Sequence, residues 1–307
     1  MTSAPRSGAP QDGAPHDGAP LDGAPPDPAL VAALRAAGCV FAEEEAALIT
    51  EAAAGDPVLV AALRERRIGG EPLEYVVGRV DFDGHRLGVV PGVFIPRQRS
   101  LLAVERAVAA LPDAGSATLV DLGCGCGALG YAVARRRPDT TVHAVDVDPV
   151  AAACARANLS RLPGGTAHVH CGDLLAPLPE EVSGAVDVIL ASLPYVPTSA
   201  RGAMPAESRD HEPAGTTDGG SDGLDLIRRA LAQATPWLHP EGALVLEVGA
   251  AGTGQAARLS EMATGHGWRC TITEDAESGG CVVIARRARS RHMESGPSPS
   301  GAPPDSM

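Results

Sequence analysis

The sequence predicts an α/β protein: a doubly wound, mostly parallel sheet with helices on both faces, preceded by a small helical bundle and a β-hairpin. Three observations carry this. From residue 101 onward, apolar runs of strand length alternate with helical patterns, as crossover connections between parallel strands require. A glycine-rich loop, Asp121-Leu122-Gly123-Cys124-Gly125-Cys126-Gly127, lies between one such strand and one such helix. Asp121, Asp146 and Asp173 stand at or just past the ends of three successive predicted strands.

In chain order, residues 7–28 repeat units such as Gly-Ala-Pro-Gln-Asp and Gly-Ala-Pro-His-Asp. Such units have almost nothing to bury against their ordering entropy, so residues 1–28 are expected to form a disordered tail. Residues 29–72 are expected to form a helical domain: Leu30, Leu34, Leu48, Leu59 and Leu63 carry helical spacing, punctuated by Gly38 and by Gly55-Asp56-Pro57. Residues 73–97 are expected to be a β-hairpin linker, with Tyr75-Val76-Val77, Val80-Asp81-Phe82 and 87–90 around the turn signal Asp83-Gly84. Residues 98–287 supply the sheet domain. Its expected helices are 101–111, 128–137, 149–161, 224–238 and 255–266, and its expected strands are 117–120, 141–145, 167–171, 186–191, 243–248, 270–273 and 281–286. Residues 288–307, rich in Ser, Pro and Gly, read as a second disordered tail.

Composition excludes several classes. The chain has 307 residues and a formal net charge of -13, a poor basis for sequence-independent nucleic-acid binding, which depends on neutralising phosphates. All 25 basic residues are Arg, and the run Arg135-Arg136-Arg137 reads as a solvated helix end. The seven cysteines, at 39, 124, 126, 154, 171, 270 and 281, form no C-x-x-C pair. They suggest neither a disulfide framework nor a zinc module, and no metal is expected. Apolar runs fall short of the roughly 18–20 residues of a membrane span, and the N-terminus lacks a signal-peptide layout. A cytoplasmic location is expected.

The loop glycines Gly123, Gly125 and Gly127 let the backbone turn sharply and approach a ligand beyond the carboxyl ends of the strands. Residues 125–130 also satisfy the G-x-G-x-x-G dinucleotide pattern, so a nicotinamide enzyme is one reading. Asp121 argues against it, because a carboxylate beside the loop disfavours a pyrophosphate and suits the cationic amino group of a methionyl moiety. Asp146 suits two ribose hydroxyls, through charge-assisted bonds worth roughly 1.5–3 kcal/mol each. Asp173 suits an adenine amino group. Together they favour S-adenosylmethionine. Cys124 and Cys126 read as small loop fillers.

Several segments carry a family resemblance: Gly70-Glu71-Pro72-Leu73-Glu74-Tyr75, Ile95-Pro96-Arg97, the glycine loop, Leu193-Pro194-Tyr195, His211-Glu212-Pro213, and Asp218-Gly219-Gly220-Ser221-Asp222-Gly223-Leu224-Asp225. Over about residues 29–287 the chain resembles the protein-(glutamine-N5) methyltransferases that modify peptide chain release factors, in an actinobacterial-type branch. The resemblance implies a class I S-adenosylmethionine-dependent methyltransferase with a Rossmann-like seven-stranded sheet, an N-terminal helical bundle and a hairpin link. It implies cofactor contacts from Asp121, Gly123, Gly125, Gly127, Asp146, Asp173 and Ser192, and a protein substrate, a release factor.

The family's acceptor signature is Asn-Pro-Pro-Tyr, in which the Asn oxygen and the following backbone carbonyl orient a glutamine amide. Here it reads Ser192-Leu193-Pro194-Tyr195, and the resemblance makes these four the catalytic residues. A hydroxyl is shorter than a carboxamide and rotates between donor and acceptor. The family continues Pro-Glu-Thr-Glu after Ile-Pro-Arg, where this chain has Gln98-Arg99-Ser100-Leu101. His211 is expected to make structural hydrogen bonds. Two alternatives stay open: a diverged methyltransferase with another acceptor, such as a small-molecule amine or hydroxyl, and a cofactor-binding protein without turnover.

Overall fold

The computed structural model describes residues 26–164 and 166–288. Of the expected tails 1–28 and 288–307, residues 1–25 and 289–307 lie outside the described residues, while Asp27 and Pro28 already cap and open the first helix. The chain forms two compact units that divide between Val90 and Pro91.

The first unit contains α1 (Pro28–Ala36), α2 (Ala42–Ala52), α3 (Pro57–Ile68), α4 (Leu73–Val77), β1 (Arg79–Phe82) and β2 (His85–Gly88). Asp27 and Asp56 cap α1 and α3, each accepting a backbone N–H two residues on, and a proline opens each helix. Leu30, Leu34, Ala46, Ile49 and Leu63 pack together with Val76. The hairpin pairs Phe82 with His85 across Asp83-Gly84, both of which have positive φ as a tight two-residue turn requires. One expectation is corrected here: Tyr75-Val76-Val77 is a helical turn, not β-structure. Packing overrides the β-preference of the valines, since Val76 and Val77 join the bundle core, and Gly78 ends the turn in the left-handed region at φ 73°.

In the second unit a 3-10 turn (Gln98–Ser100) leads into α5 (Leu101–Ala110). Then follow β3 (Ala117–Leu122), α6 (Ala128–Arg136), β4 (Thr140–Asp146), α7 (Pro149–Leu159), β5 (Ala167–Cys171) and β6 (Val186–Ala191). The short helix α8 (Ala206–His211), α9 (Asp225–Ala234), β7 (Leu238–Glu247), α10 (Gln255–Gly265), β8 (Trp268–Asp275) and β9 (Gly280–Arg287) complete it. The seven strands lie in the order β5-β4-β3-β6-β7-β9-β8. β3 through β7 pair in parallel, and β9 runs antiparallel to both neighbours. This is the class I, Rossmann-like sheet. The order reverses between β3 and β6, so a crevice opens beyond the ends of those two strands.

The helix expected over 224–238 ends at Ala234, and Leu238 already belongs to β7. Pro236 has no N–H to continue a helical ladder. β7 starts five residues before the expected 243 because a bulge places Leu238 opposite Val186 and Ala243 opposite Val188. Pro240 and Gly242 sit in that irregularity, which hides the strand from a reading by propensity.

Candidate cofactor and acceptor site

The glycine loop follows β3 and is pinned from several sides. Gly123 N and Cys124 N both donate to Val145 O on β4, at 2.9 and 3.0 Å. Gly125 N donates to Asp146 Oδ2 at 2.8 Å, and Asn158 of α7 donates from Nδ2 to Cys126 O at 2.8 Å. Gly127 enters α6 at φ 81°, and a Cβ there would stand 3.2 Å from Ala155 Cβ. Glycine is therefore required both for the turn and for the close approach of α7.

A cavity of about 300 Å³ opens at the loop, at the lower end of small-molecule sites, which span roughly 300–1,000 Å³. Its wall includes Gly123 and Gly125, Asp146 to Asp148 after β4, Gly172 to Leu174 after β5, and Ser192 to Pro194 after β6. Four strand ends thus converge on one space. Asp146 is fixed by two backbone donors, Gly125 N on Oδ2 and Asp148 N on Oδ1 at 2.9 Å. Burial raises its carboxyl above the ordinary range, and those N–H groups oppose the shift. Val147 lines the cavity while 68% exposed, an apolar surface that a flat aromatic base would cover. Asp173 also lines the cavity and pairs with Arg229 at 2.5 Å.

Asp121 and Gly127 are not among the lining residues. Asp121 is 1% exposed, and its Oδ2 accepts Gly130 N at 2.8 Å in the first turn of α6. Burial pushes its carboxyl up to about 7, the Gly130 N–H opposes this, and the nearby Asp146 charge adds to it. Gly130 is glycine for this contact, since a Cβ there would lie 2.9 Å from Oδ2. Cys124 and Cys126 are buried, and burial holds both thiols far above the range in which a thiolate forms. They fill the loop.

The acceptor motif presses on this loop: a Cβ on Gly123 would stand 2.9 Å from Leu193 Cδ2 and 3.3 Å from Ser192 O. Ser192, Leu193 and Pro194 line the cavity, and the Ser192 hydroxyl makes no hydrogen bond among the described residues. Tyr195 turns away from it. Its hydroxyl donates to Glu247 Oε1 at 3.0 Å and accepts from Arg99 Nε and Nη2 at 3.1 and 3.0 Å. Burial and then the Glu247 charge push the phenol above its ordinary range, against the pull of Arg99, so it remains a donor. Ser100 Oγ donates to the same Glu247 oxygen at 3.0 Å. The residues in the loop that departs from the family pattern therefore converge on the acceptor motif.

His211 is exposed at the end of α8, and its side chain makes no hydrogen bond among the described residues, contrary to expectation. The neighbouring Glu212 has the structural role. Its fully buried carboxylate accepts Ile95 N at 3.3 Å and Arg97 Nη2 at 2.6 Å. Sequence reasoning also passed over Glu247, Gln255, Asn158 and Asp148. Only Asp148 left a local signal, as an aspartate immediately before Pro149, where it caps α7.

The donor set fits S-adenosylmethionine: a carboxylate fixed at the end of β4, an apolar wall at Val147 and Leu174, and a glycine loop that leaves room for the chain linking nucleoside to methionyl group. Fold and site together define a class I S-adenosylmethionine-dependent methyltransferase. Residues 91–202 match the family model described as methyltransferase small domain. The chain is 42% identical to the release factor glutamine methyltransferase of Gloeobacter violaceus over 62% of its own length and 66% of that protein. To the enzyme of the same name from Moorella thermoacetica it is 38% identical, over 66% of this chain and 70% of that one. It is also 33% identical to a 4-amino-L-phenylalanine/4-methylamino-L-phenylalanine methyltransferase of Streptomyces pristinaespiralis, over 72% of this chain and 75% of that one. The chain belongs to the release factor glutamine methyltransferase family. Among the described residues, no helix is long and apolar enough to cross a membrane.

Proposed function

We propose that this chain methylates the side-chain amide nitrogen of a protein glutamine, with a peptide chain release factor as substrate and S-adenosylmethionine as methyl donor. The observation that carries the reading is the shared wall: Ser192, Leu193 and Pro194 line the same cavity as Gly123, Gly125 and Asp146. Bound S-adenosylmethionine supplies an electrophilic methyl group. Asp146 would hold the ribose, Asp173 and Val147 the adenine, and the loop that Asp121 stabilises through Gly130 the methionyl part. An amide nitrogen is a poor nucleophile because its lone pair is delocalised. Ser192 Oγ and the Leu193 carbonyl would each accept one amide N–H, which raises electron density on nitrogen and fixes its line of approach. Such positioning can supply roughly 7–11 kcal/mol of a barrier. No strong base is needed before attack, since the proton leaves after transfer. Such a substrate places the reaction in the cytoplasm.

The test is incubation with methyl-labelled S-adenosylmethionine and purified release factors, followed by peptide mass spectrometry. Label on a glutamine side chain supports the reading, and its absence from every glutamine refutes it.

A second reading is favoured by Ser192 itself. A serine side chain is shorter than the Asn of the family signature and offers a single rotating hydroxyl in place of a fixed carboxamide, and the Streptomyces pristinaespiralis relative is named for an aromatic amine. Assay with 4-amino-L-phenylalanine separates the two.

A further inference from the structure

Gln255, the first residue of α10, is 1% exposed. Its Oε1 accepts Gly249 N at 2.7 Å, and its Nε2 donates to Tyr195 O at 2.8 Å and to Asp222 O at 2.9 Å. One carboxamide therefore joins the turn after β7, the acceptor motif and the loop 218–223. Both of its N–H donors are engaged with backbone carbonyls.

The loop 218–223 in turn lies against the acceptor motif. Val196 N donates to Thr217 O at 2.9 Å, Gly219 N to Val196 O at 2.8 Å, and Thr198 N to Gly220 O at 2.9 Å. A Cβ on Gly219 would stand 2.6 Å from Pro194 O. One on Gly223 would stand 2.1 Å from Gln255 Nε2 and 2.2 Å from Tyr195 O, and Gly223 has φ 79°. Glycine at 219 and at 223 lets this loop close directly onto the backbone of Pro194 and Tyr195.

We infer that Gln255 is a positioning residue for methyl transfer: its carboxamide fixes the Tyr195 carbonyl, and with it the backbone that presents the acceptor to the cavity. Gln255 is not among the residues lining that cavity, so it acts through Tyr195 and the loop 218–223. The inference rests on the reading of Ser192 to Tyr195 as the acceptor site. Misplacement by about 1 Å can slow a transfer by about a hundredfold, so a residue that sets this backbone has leverage on rate without contacting the cofactor.

The test compares the full-length parent with Gln255→Glu, which turns a carboxylate oxygen on two carbonyls, and Gln255→Met, which removes the donors without adding charge. Steady-state kinetics on the methylated acceptor should show kcat lowered roughly tenfold to a hundredfold, with KM for S-adenosylmethionine unchanged. Amide hydrogen exchange of the S-adenosylhomocysteine complex should speed up only within 193–198 and 217–225 and, in Gln255→Met, at Gly249, whose N–H loses its acceptor. Parallel loss of cofactor affinity, faster exchange throughout the sheet domain, or variants indistinguishable from the parent would each overturn the inference. The exchange measurement needs no acceptor. If the glutamine reading fails, unchanged exchange at 193–198 still refutes the positioning role, and localised exchange still supports it.

Discussion

The Tyr195 hydroxyl donates to Glu247 Oε1 at 3.0 Å, joining the end of β6 to the end of β7 beside the acceptor motif. The other Glu247 oxygen is buried and without a partner among the described residues. Ser100 and Tyr195 donate to the first, and Arg99 stands 3.8 Å from it. Tyr195→Phe keeps the ring and removes one donor from a buried carboxylate, which should lower stability by about 1–3 kcal/mol. Methyl transfer should slow while S-adenosylmethionine binding is retained. Denaturant unfolding and calorimetry check the two effects separately.

Under the proposed function, Ser192 selects the acceptor. Ser192→Ala removes a hydroxyl from the cavity wall and should lower kcat/KM about tenfold or more, the cost of roughly one hydrogen bond to a polarised group. Ser192→Asn restores the carboxamide of the family signature and should raise glutamine methylation. Should the parent methylate 4-amino-L-phenylalanine and only the Asn variant methylate glutamine, the amine reading holds instead.

Asp146→Ala should weaken S-adenosylmethionine binding by roughly ten- to a hundredfold, since charge-assisted hydrogen bonds contribute roughly 1.5–3 kcal/mol each. The variant also leaves Gly125 N and Asp148 N without their acceptor. Titration calorimetry measures the loss directly.

Asp121 gives a pH dependence of known sign. Burial pushes its folded carboxyl up to about 7, well above the ordinary carboxylate range, so between the two the folded state binds more protons than the unfolded chain. The stability it contributes is therefore greatest at low pH and declines as pH rises from about 4 to about 7. Asp121→Asn should flatten that decline, by a melting-temperature difference on the order of several degrees across the window. Thermal unfolding at a series of pH values checks it. A parallel shift of both curves would contradict the assignment to Asp121.

Arg97→Ala should destabilise the sheet domain by about 3–5 kcal/mol, because it leaves the fully buried Glu212 carboxylate without its cation. Denaturant unfolding reads this directly.

Much of the architecture was legible because it is written locally. The alternation of apolar strands and helices, the glycines at 123, 125 and 127, and the aspartates at strand ends each need only a short window of sequence. Tyr75-Val76-Val77 misled because β-preference is weak against packing, and Pro236 and Pro240 hid the boundary between α9 and β7. Gln255, Glu247 and Glu212 were illegible for another reason. Gln255 is bound to Tyr195 from sixty residues away, Glu247 to Ser100 from 147, and Glu212 to Arg97 from 115. Nothing beside them in the chain announces those partners. The aspartates could be placed at strand ends but not sorted: Asp146 and Asp173 face the cavity, while Asp121 lies behind the loop.

The central claim is that cofactor and acceptor meet in one cavity with Ser192 to Pro194 as its acceptor wall. The most direct measurement is methyl transfer from labelled S-adenosylmethionine to a purified release factor by the parent and by Ser192→Ala, with cofactor affinity measured on both. The account predicts label on a glutamine side chain for the parent and, with both proteins saturated with cofactor, roughly tenfold slower transfer for the variant. Equal transfer rates, or label on no glutamine at saturating cofactor, would contradict it.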